Sequence, residues 1–139
     1  MSESSVNTVR GTGAEKCPLH VLVIDEDSSI CDMFSDIFAT ENYVVDRCTS
    51  ADRLYSIDFS DYNLVFVDLG IEGNDGGFSI VEQIKQIYPD NRIAVIAYSV
   101  RMSPDTIIRA LYSGADDYLI KPFSIRELKA RVRSVMRRH

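Results

Sequence analysis

Residues 20–38 read HVLVIDEDSSICDMFSDIF, and this stretch decides the fold. His20 to Ile24 form a brief apolar run, the mark of a strand buried on both faces. The run stops at Asp25-Glu26-Asp27. Ile30, Met33, Phe34, Ile37 and Phe38 then recur at i, i+3, i+4, i+7 and i+8, one face of a helix, with Asp27 or Ser28 placed to cap its start. The pattern continues outward. Tyr43-Val-Val and Leu64-Val-Phe-Val-Asp68 are further strands, with a short helix expected over 51–57 between them. The glycine-rich loop 70–77 leads to a helical face of Phe78, Val81, Ile84, Ile87 and Tyr88, which Pro89 stops. Ile93 to Ala97 is a fourth strand. Ser103-Pro104 pairs a cap residue with proline at the first helical position, and that helix ends near Gly114. Tyr118-Leu-Ile120 is a fifth strand. Ser124-x-x-Glu127 is a capping box opening a last helix along Ile125, Leu128, Val132, Val135 and Met136. Strands alternating with amphipathic helices predict an α/β fold, a (βα)5 parallel sheet with helices on both faces. Residues 1–17, rich in Ser, Thr, Gly and Asn, are expected to be a flexible tail, and 18–139 the domain.

A length of 139 residues suits one domain. Hydrophobic residues at 45% against 26% charged exclude disorder over most of it. Fifteen Lys and Arg against 21 Asp and Glu leave a net charge of −6, which repels phosphate backbones, so no nucleic acid is expected to bind this chain by itself. No apolar run approaches the roughly 20 residues of a membrane span, and the N-terminus has no hydrophobic leader core. Cys17, Cys31 and Cys48 show no CxxC pairing, which predicts a reduced, cytoplasmic protein. His20 and His139 stand at opposite ends, against a His-rich metal site.

In a parallel sheet of this kind, ligands bind outside the C-terminal strand ends. Those ends carry Asp25-Glu26-Asp27, Asp68, Ser99 and Lys121-Pro122. Carboxylates gathered there repel, and a bound cation or a lysine relieves the repulsion. Hard oxygen donors suit Mg²⁺. A carboxylate beside that ion, with a hydroxyl and an ammonium in reach, is equipped to attack a phosphoryl group. Each residue alone has a plainer reading as a turn former, helix cap, structural serine or exposed lysine. The plainer readings must all hold together to displace the chemical one.

The sequence resembles the receiver domains of two-component response regulators. The resemblance rests on VLVIDED at 21–27, LVFVD at 64–68, Asp75-Gly76, Ser99 and YLIKPF at 118–123, and runs from about residue 19 to 138. It implies a flavodoxin-like fold with five parallel strands in the order 2-1-3-4-5. Asp68 is then the phosphoacceptor. Asp25, Glu26, Asp68 and the Gly70 carbonyl hold Mg²⁺, and Ser99 and Lys121 contact the phosphoryl group. Ser99 and Tyr118 form the switch, Tyr118 turning inward on phosphorylation, and Pro122 follows a cis peptide. Gly70 and Arg101 flank the route of a hydrolysing water, which predicts slow loss of the phosphate. Ile71-Glu72 departs from the Met-Pro common in the family.

The stretch GADDYLIKPFSIRELKARVRSVMRR at 114–138 is similar to the end of OmpR/PhoB-type receivers. There a face of the fourth helix, fifth strand and fifth helix dimerises on phosphorylation. Here it comprises Asp116, Asp117, Glu127, Arg131, Ile107 and Leu111, with Asp117 of one chain meeting Arg131 of the other. The implied partners are a sensor histidine kinase or phosphotransfer protein and a second copy of the chain. The implied output is transcription regulation through a DNA-binding domain, or a stand-alone role. No turnover of an external substrate is implied. One rival reading is a degenerate receiver that binds partners constitutively. Another is a haloacid-dehalogenase-type phosphatase built on Asp25-Glu-Asp27, which misplaces Lys121 after Asp116-Asp117.

Overall fold

The computed structural model describes residues 18–71, 76–90, 92–100 and 103–139, together with the backbone of 7–10. Six strands lie in one sheet in the order β1-β3-β2-β4-β5-β6. They are β1 (Asn7–Arg10), β2 (Leu19–Ile24), β3 (Tyr43–Cys48), β4 (Leu64–Asp68), β5 (Ala94–Ser99) and β6 (Asp117–Ile120). The last five form the expected parallel 2-1-3-4-5 sheet. The helices are α1 (Ser28–Phe38), α2 (Gly76–Ile87), α3 (Pro104–Tyr112) and α4 (Ile125–Arg137). The chain divides into two compact units, Met1–Val65 and Phe66–His139.

In the first unit, β2 pairs in parallel with β3, from Leu19 opposite Tyr43 to Ile24 opposite Cys48. Val21 to Ile24 are wholly buried, as a continuous apolar run demands. Asp27 caps α1, its Oδ1 accepting the Ser29 N–H at 3.0 Å. The buried face of α1 is Cys31, Phe34, Ser35, Ile37 and Phe38. Cys31 and Ser35 therefore join the core, while Ile30 and Met33 are only half-buried. Arg47 explains the buried serine: it bonds Ser35 Oγ at 3.3 Å and pairs with Asp32. The helix expected over 51–57 is a 3₁₀ helix, Ala51–Ser56, and a second 3₁₀ turn, Phe59–Asp61, is capped by Asp58.

One strand lies beyond the five expected. The sheet has a sixth strand, and it comes from the stretch read as a tail. Asn7–Arg10 pairs antiparallel with β3, Asn7 opposite Arg47 and Arg10 opposite Val44. Four residues without apolar alternation carry no strand signal in sequence. Their pairing is supplied by the open outer edge of β3. The rest of 1–17, Cys17 included, lies outside the described residues.

Both described cysteines are free and fully buried. Burial pushes the Cys31 thiol up to about 11, and it raises Cys48 as well. The thiolate is the reactive form. Iodoacetamide at pH 8 is therefore expected to leave the Cys31 and Cys48 peptides unmodified in the folded protein and to label both in urea. Rapid labelling of either in the native state, by peptide mapping, would contradict this.

In the second unit, β5 pairs in parallel with β6, Ala97 opposite Tyr118 and Ser99 opposite Ile120. Leu69 N donates to Tyr98 O at 3.0 Å, carrying the hydrogen bonding from the end of β4 to β5. The Arg109 guanidinium lies 4.1 Å from the Phe78 ring centroid and ties α3 to α2. Ser103 caps α3 by accepting the Thr106 N–H, and Pro104 follows it. Gly114 ends that turn at φ +109°, where a side chain would be strained. Ser124 Oγ accepts the Glu127 N–H at 3.0 Å and opens α4. Among the described residues no helix is long and apolar enough to cross a membrane.

Candidate functional site

The polar strand ends are built by local hydrogen bonding. In the first unit, Asp25 follows β2 and is 2% exposed. Its backbone is held on both sides: its N–H donates to Cys48 O at 3.1 Å, and Cys31 Sγ donates to its carbonyl at 3.7 Å. Its Oδ1 accepts the Asp27 N–H at 2.9 Å. Glu26 is exposed. Asp25 is thus the fixed member of this acidic pair and Glu26 the outward one.

In the second unit, Asp68 ends β4 with its side chain 19% exposed. The turn behind it closes on itself. Ile71 N donates to Asp68 O, and Gly70 N donates to Asp68 Oδ1, both at 3.1 Å. Gly77, in the first turn of α2, donates to Leu69 O. A Cβ on Gly77 would lie 2.4 Å from Leu69 Cα and 2.6 Å from Asp68 O, so the helix rests directly on the backbone that carries Asp68. Lys121 faces Asp68 with Nζ 3.9 Å from Oδ2. That separation is beyond a hydrogen bond, so the two groups attract as charges only. Lys121 N donates to Ser99 O at 2.8 Å, and the Lys121–Pro122 peptide is cis. Ser99, 4% exposed, ends β5. The second unit therefore gathers Asp68, Gly70 and Lys121 around one turn, with Ser99 fixed to the Lys121 backbone. Asp75 and Arg101 lie outside the described residues.

Hard oxygens are the donors this turn offers, the Asp68 carboxylate and the backbone carbonyls beside it. Among the described residues no three His, Cys, Asp or Glu side chains form a cage for a metal ion. Mg²⁺ does not require one, because it keeps several waters and takes one or two carboxylates. The donor chemistry fits that ion.

A model of the response regulator receiver domain matches residues 21–133. The chain belongs to the response regulator receiver family. The receiver is 34% identical over 122 residues to the transcriptional regulatory protein HprR of Escherichia coli, an alignment covering 87% of this chain and 53% of HprR. It spans about half the length of the curated relatives it matches. Among solved structures, a two-component response regulator from Clostridium difficile superposes with a TM-score of 0.76 at 26% identity, covering 86% of the receiver and 97% of that chain. The response regulator DrrB, an OmpR/PhoB homologue from Thermotoga maritima, gives 0.75 at 24% identity over 87% of the receiver and 54% of DrrB, and shows the shared fold. The match over 21–133 leaves the haloacid-dehalogenase reading without support.

The residues expected to face a second copy are largely engaged within the receiver. Arg131 Nη1 reaches Asp117 Oδ1 at 3.1 Å and Oδ2 at 3.3 Å, and its Nη2 reaches Glu127 at 3.4 Å. The bridge expected between protomers thus closes inside one. The short connection from β6 to α4 sets the two side chains side by side. Asp116 is committed more deeply. Its Oδ2 accepts from Lys85 Nζ and from Val95 N, both at 2.8 Å, and its Oδ1 lies 3.2 Å from His139 Nε2. Lys85 also donates to Ile93 O at 2.9 Å. Asp116 is therefore a structural hub and not a surface charge. Leu111 is exposed, Ile107 half-buried. Tyr118 is buried. Sequence reasoning placed Gly77 in the loop and passed over Lys85 and Tyr98.

Proposed function

We propose that the receiver accepts a phosphoryl group on Asp68, from a phosphohistidine of a sensor kinase or phosphotransfer protein or from a small phosphodonor. The observation that carries this reading is the Asp68 carboxylate, held at a strand end by the Gly70 N–H with the Lys121 ammonium 3.9 Å away. Asp25, Glu26, Asp68 and the Gly70 carbonyl are the oxygens proposed to hold Mg²⁺, which when bound offsets the charge of the phosphate oxygens. Asp68 supplies the nucleophilic oxygen. The Gly70 N–H orients its carboxylate, Lys121 pairs with the transferred oxygens, and the Ser99 hydroxyl donates to one of them. Transfer places new charge and strong acceptors at the ends of β4 and β5, and the shift of Ser99 carries that change to β6. A degenerate, constitutive receiver finds less support, since Asp25, Asp68, Ser99 and Lys121 are all present.

The test is intact-mass measurement after incubation with acetyl phosphate. One phosphoryl group is expected with Mg²⁺, and none with EDTA or in Asp68→Asn. Equal incorporation in Asp68→Asn would overturn the assignment.

Activation is further proposed to pair two receivers through α3, β6 and α4. Exposed Leu111, with Ile108 and Tyr112 beside it, supplies apolar surface on α3, and Arg131 is proposed to exchange its own Asp117 for the partner's. Charge pairs at a rim are worth about 0–1 kcal/mol each, so the exchange is nearly neutral and the apolar contact decides. Sedimentation is expected to show monomer before beryllofluoride and dimer after, and Leu111→Glu to stay monomeric. A monomer at high micromolar concentration after activation would count against pairing. A cytoplasmic location and an output in transcription regulation belong to the same reading, supported by the regulatory relatives.

A further inference from the structure

The Lys121 ammonium does more than face Asp68. Its Nζ stands 4.8 Å from the centroid of the Tyr98 ring, within the range over which a cation is held by the negative face of an aromatic ring. Tyr98 is fully buried. Its ring meets Phe123 edge-on, with centroids 6.1 Å apart and planes at 82°, a favoured aromatic geometry. Phe123 and Lys121 flank Pro122, so the residue that braces the ring and the residue held by it come from one short loop. The backbone root of Lys121 is fixed by its N–H to Ser99 O. The Asp68 carboxylate, 3.9 Å from Nζ, is too far to fix the ammonium by a hydrogen bond.

We infer that Tyr98 is a positioning residue for the phosphoryl chemistry, holding the Lys121 ammonium in place to meet a group carried on Asp68. A ring suits this task better than a second carboxylate. It attracts the cation without neutralising it, so the full charge stays available to a phosphoryl oxygen. A lysine stem has several rotatable bonds, and the ring limits where its end rests before the phosphoryl group arrives. This inference rests on Asp68 being the phosphoacceptor.

Two measurements test it. By NMR on the unactivated receiver, the Lys121 Cε protons are expected to be shifted upfield of the other lysines by the ring current. The shift should persist in Tyr98→Phe and vanish in Tyr98→Leu. In the presence of Mg²⁺, Tyr98→Leu is expected to weaken beryllofluoride binding by about threefold to thirtyfold, while Tyr98→Phe stays near the parent. In a Lys121→Met background the same leucine change should have no further effect. A structural role alone would persist in that background. Unshifted Lys121 protons in the parent, a loss in Tyr98→Phe equal to that in Tyr98→Leu, or an undiminished loss without Lys121 would each overturn the inference. If Tyr98→Leu does not fold, the parent shift and Tyr98→Phe still decide. Undiminished beryllofluoride binding by Asp68→Asn would instead sink the phosphoacceptor reading and leave the ring-current result standing.

Discussion

Replacing Asp116 by alanine is expected to cost the receiver about 3 kcal/mol of folding stability, the lower end of what breaking a buried ion pair costs. The lower end applies because the Lys85 and Asp116 side chains keep 13% and 17% of their surface. The carboxylate serves two donors through one oxygen, the Lys85 ammonium and the Val95 N–H. Its removal leaves the ammonium on the Ile93 carbonyl without its counter-charge and leaves a backbone donor of a central strand unpaired. The cost is thus mainly desolvation left uncompensated, not the net value of the pair. Removing the ammonium as well should recover part of it. Asp116→Ala with Lys85→Met is therefore expected to be more stable than the sum of the single changes predicts. Urea unfolding measures all three variants. Strict additivity would mean that the two groups do not share one buried site.

Gly77→Ala is expected to destabilise the receiver by about 2 kcal/mol net and to impair phosphorylation where the protein remains folded. The added methyl would lie 2.4 Å from Leu69 Cα and 2.6 Å from Asp68 O. Both are backbone atoms, so no rotamer change relieves the contact, and α2 must move off the end of β4. Overpacking of this kind costs about 1–3 kcal/mol, here at the upper end, and the better helix propensity of alanine returns about 1 kcal/mol. The displaced atoms belong to Asp68, which carries the proposed acceptor carboxylate, and to its neighbour. The initial rate of phosphate incorporation by intact mass should therefore fall further than the folded fraction does. An alanine variant with parental stability and rate would show that α2 can shift without cost.

Much of this was legible in the sequence because the signals were strong and local. Val21–Ile24 and Leu64–Val67 are buried on both faces, and such strands are continuous apolar runs. Ser103-Pro104 and Ser124-x-x-Glu127 announce helix starts through the hydrogen bonds they make. The strand-end residues were found because a parallel sheet brings them to attention by topology alone. What escaped depends on partners distant in sequence. Asp116 and Asp117 are adjacent acids, and Asp117 was matched to Arg131 only across two chains. Only the fold turns one toward Lys85, 31 residues earlier, and the other toward Arg131. Tyr98 lies just past the strand expected at 93–97, and its relation to Lys121 exists only once β5 and β6 are paired. Ser35 is buried on α1 because Arg47, twelve residues later, reaches across to satisfy its hydroxyl.

The antiparallel pairing of Asn7–Arg10 with β3 has a bearing on how the protein behaves in solution. An uncovered edge strand offers a row of amides and carbonyls to any other chain, which is how sheets join edge to edge into aggregates. β3 has β2 on one side and β1 on the other. The N-terminal segment thus acts as a sacrificial neighbour, occupying the row that a foreign strand would otherwise take. A version of the receiver beginning at Pro18 would keep its parallel strands and lose this guard. Clumping of such a trimmed protein would then report on the missing edge strand, with the phosphorylation chemistry untouched.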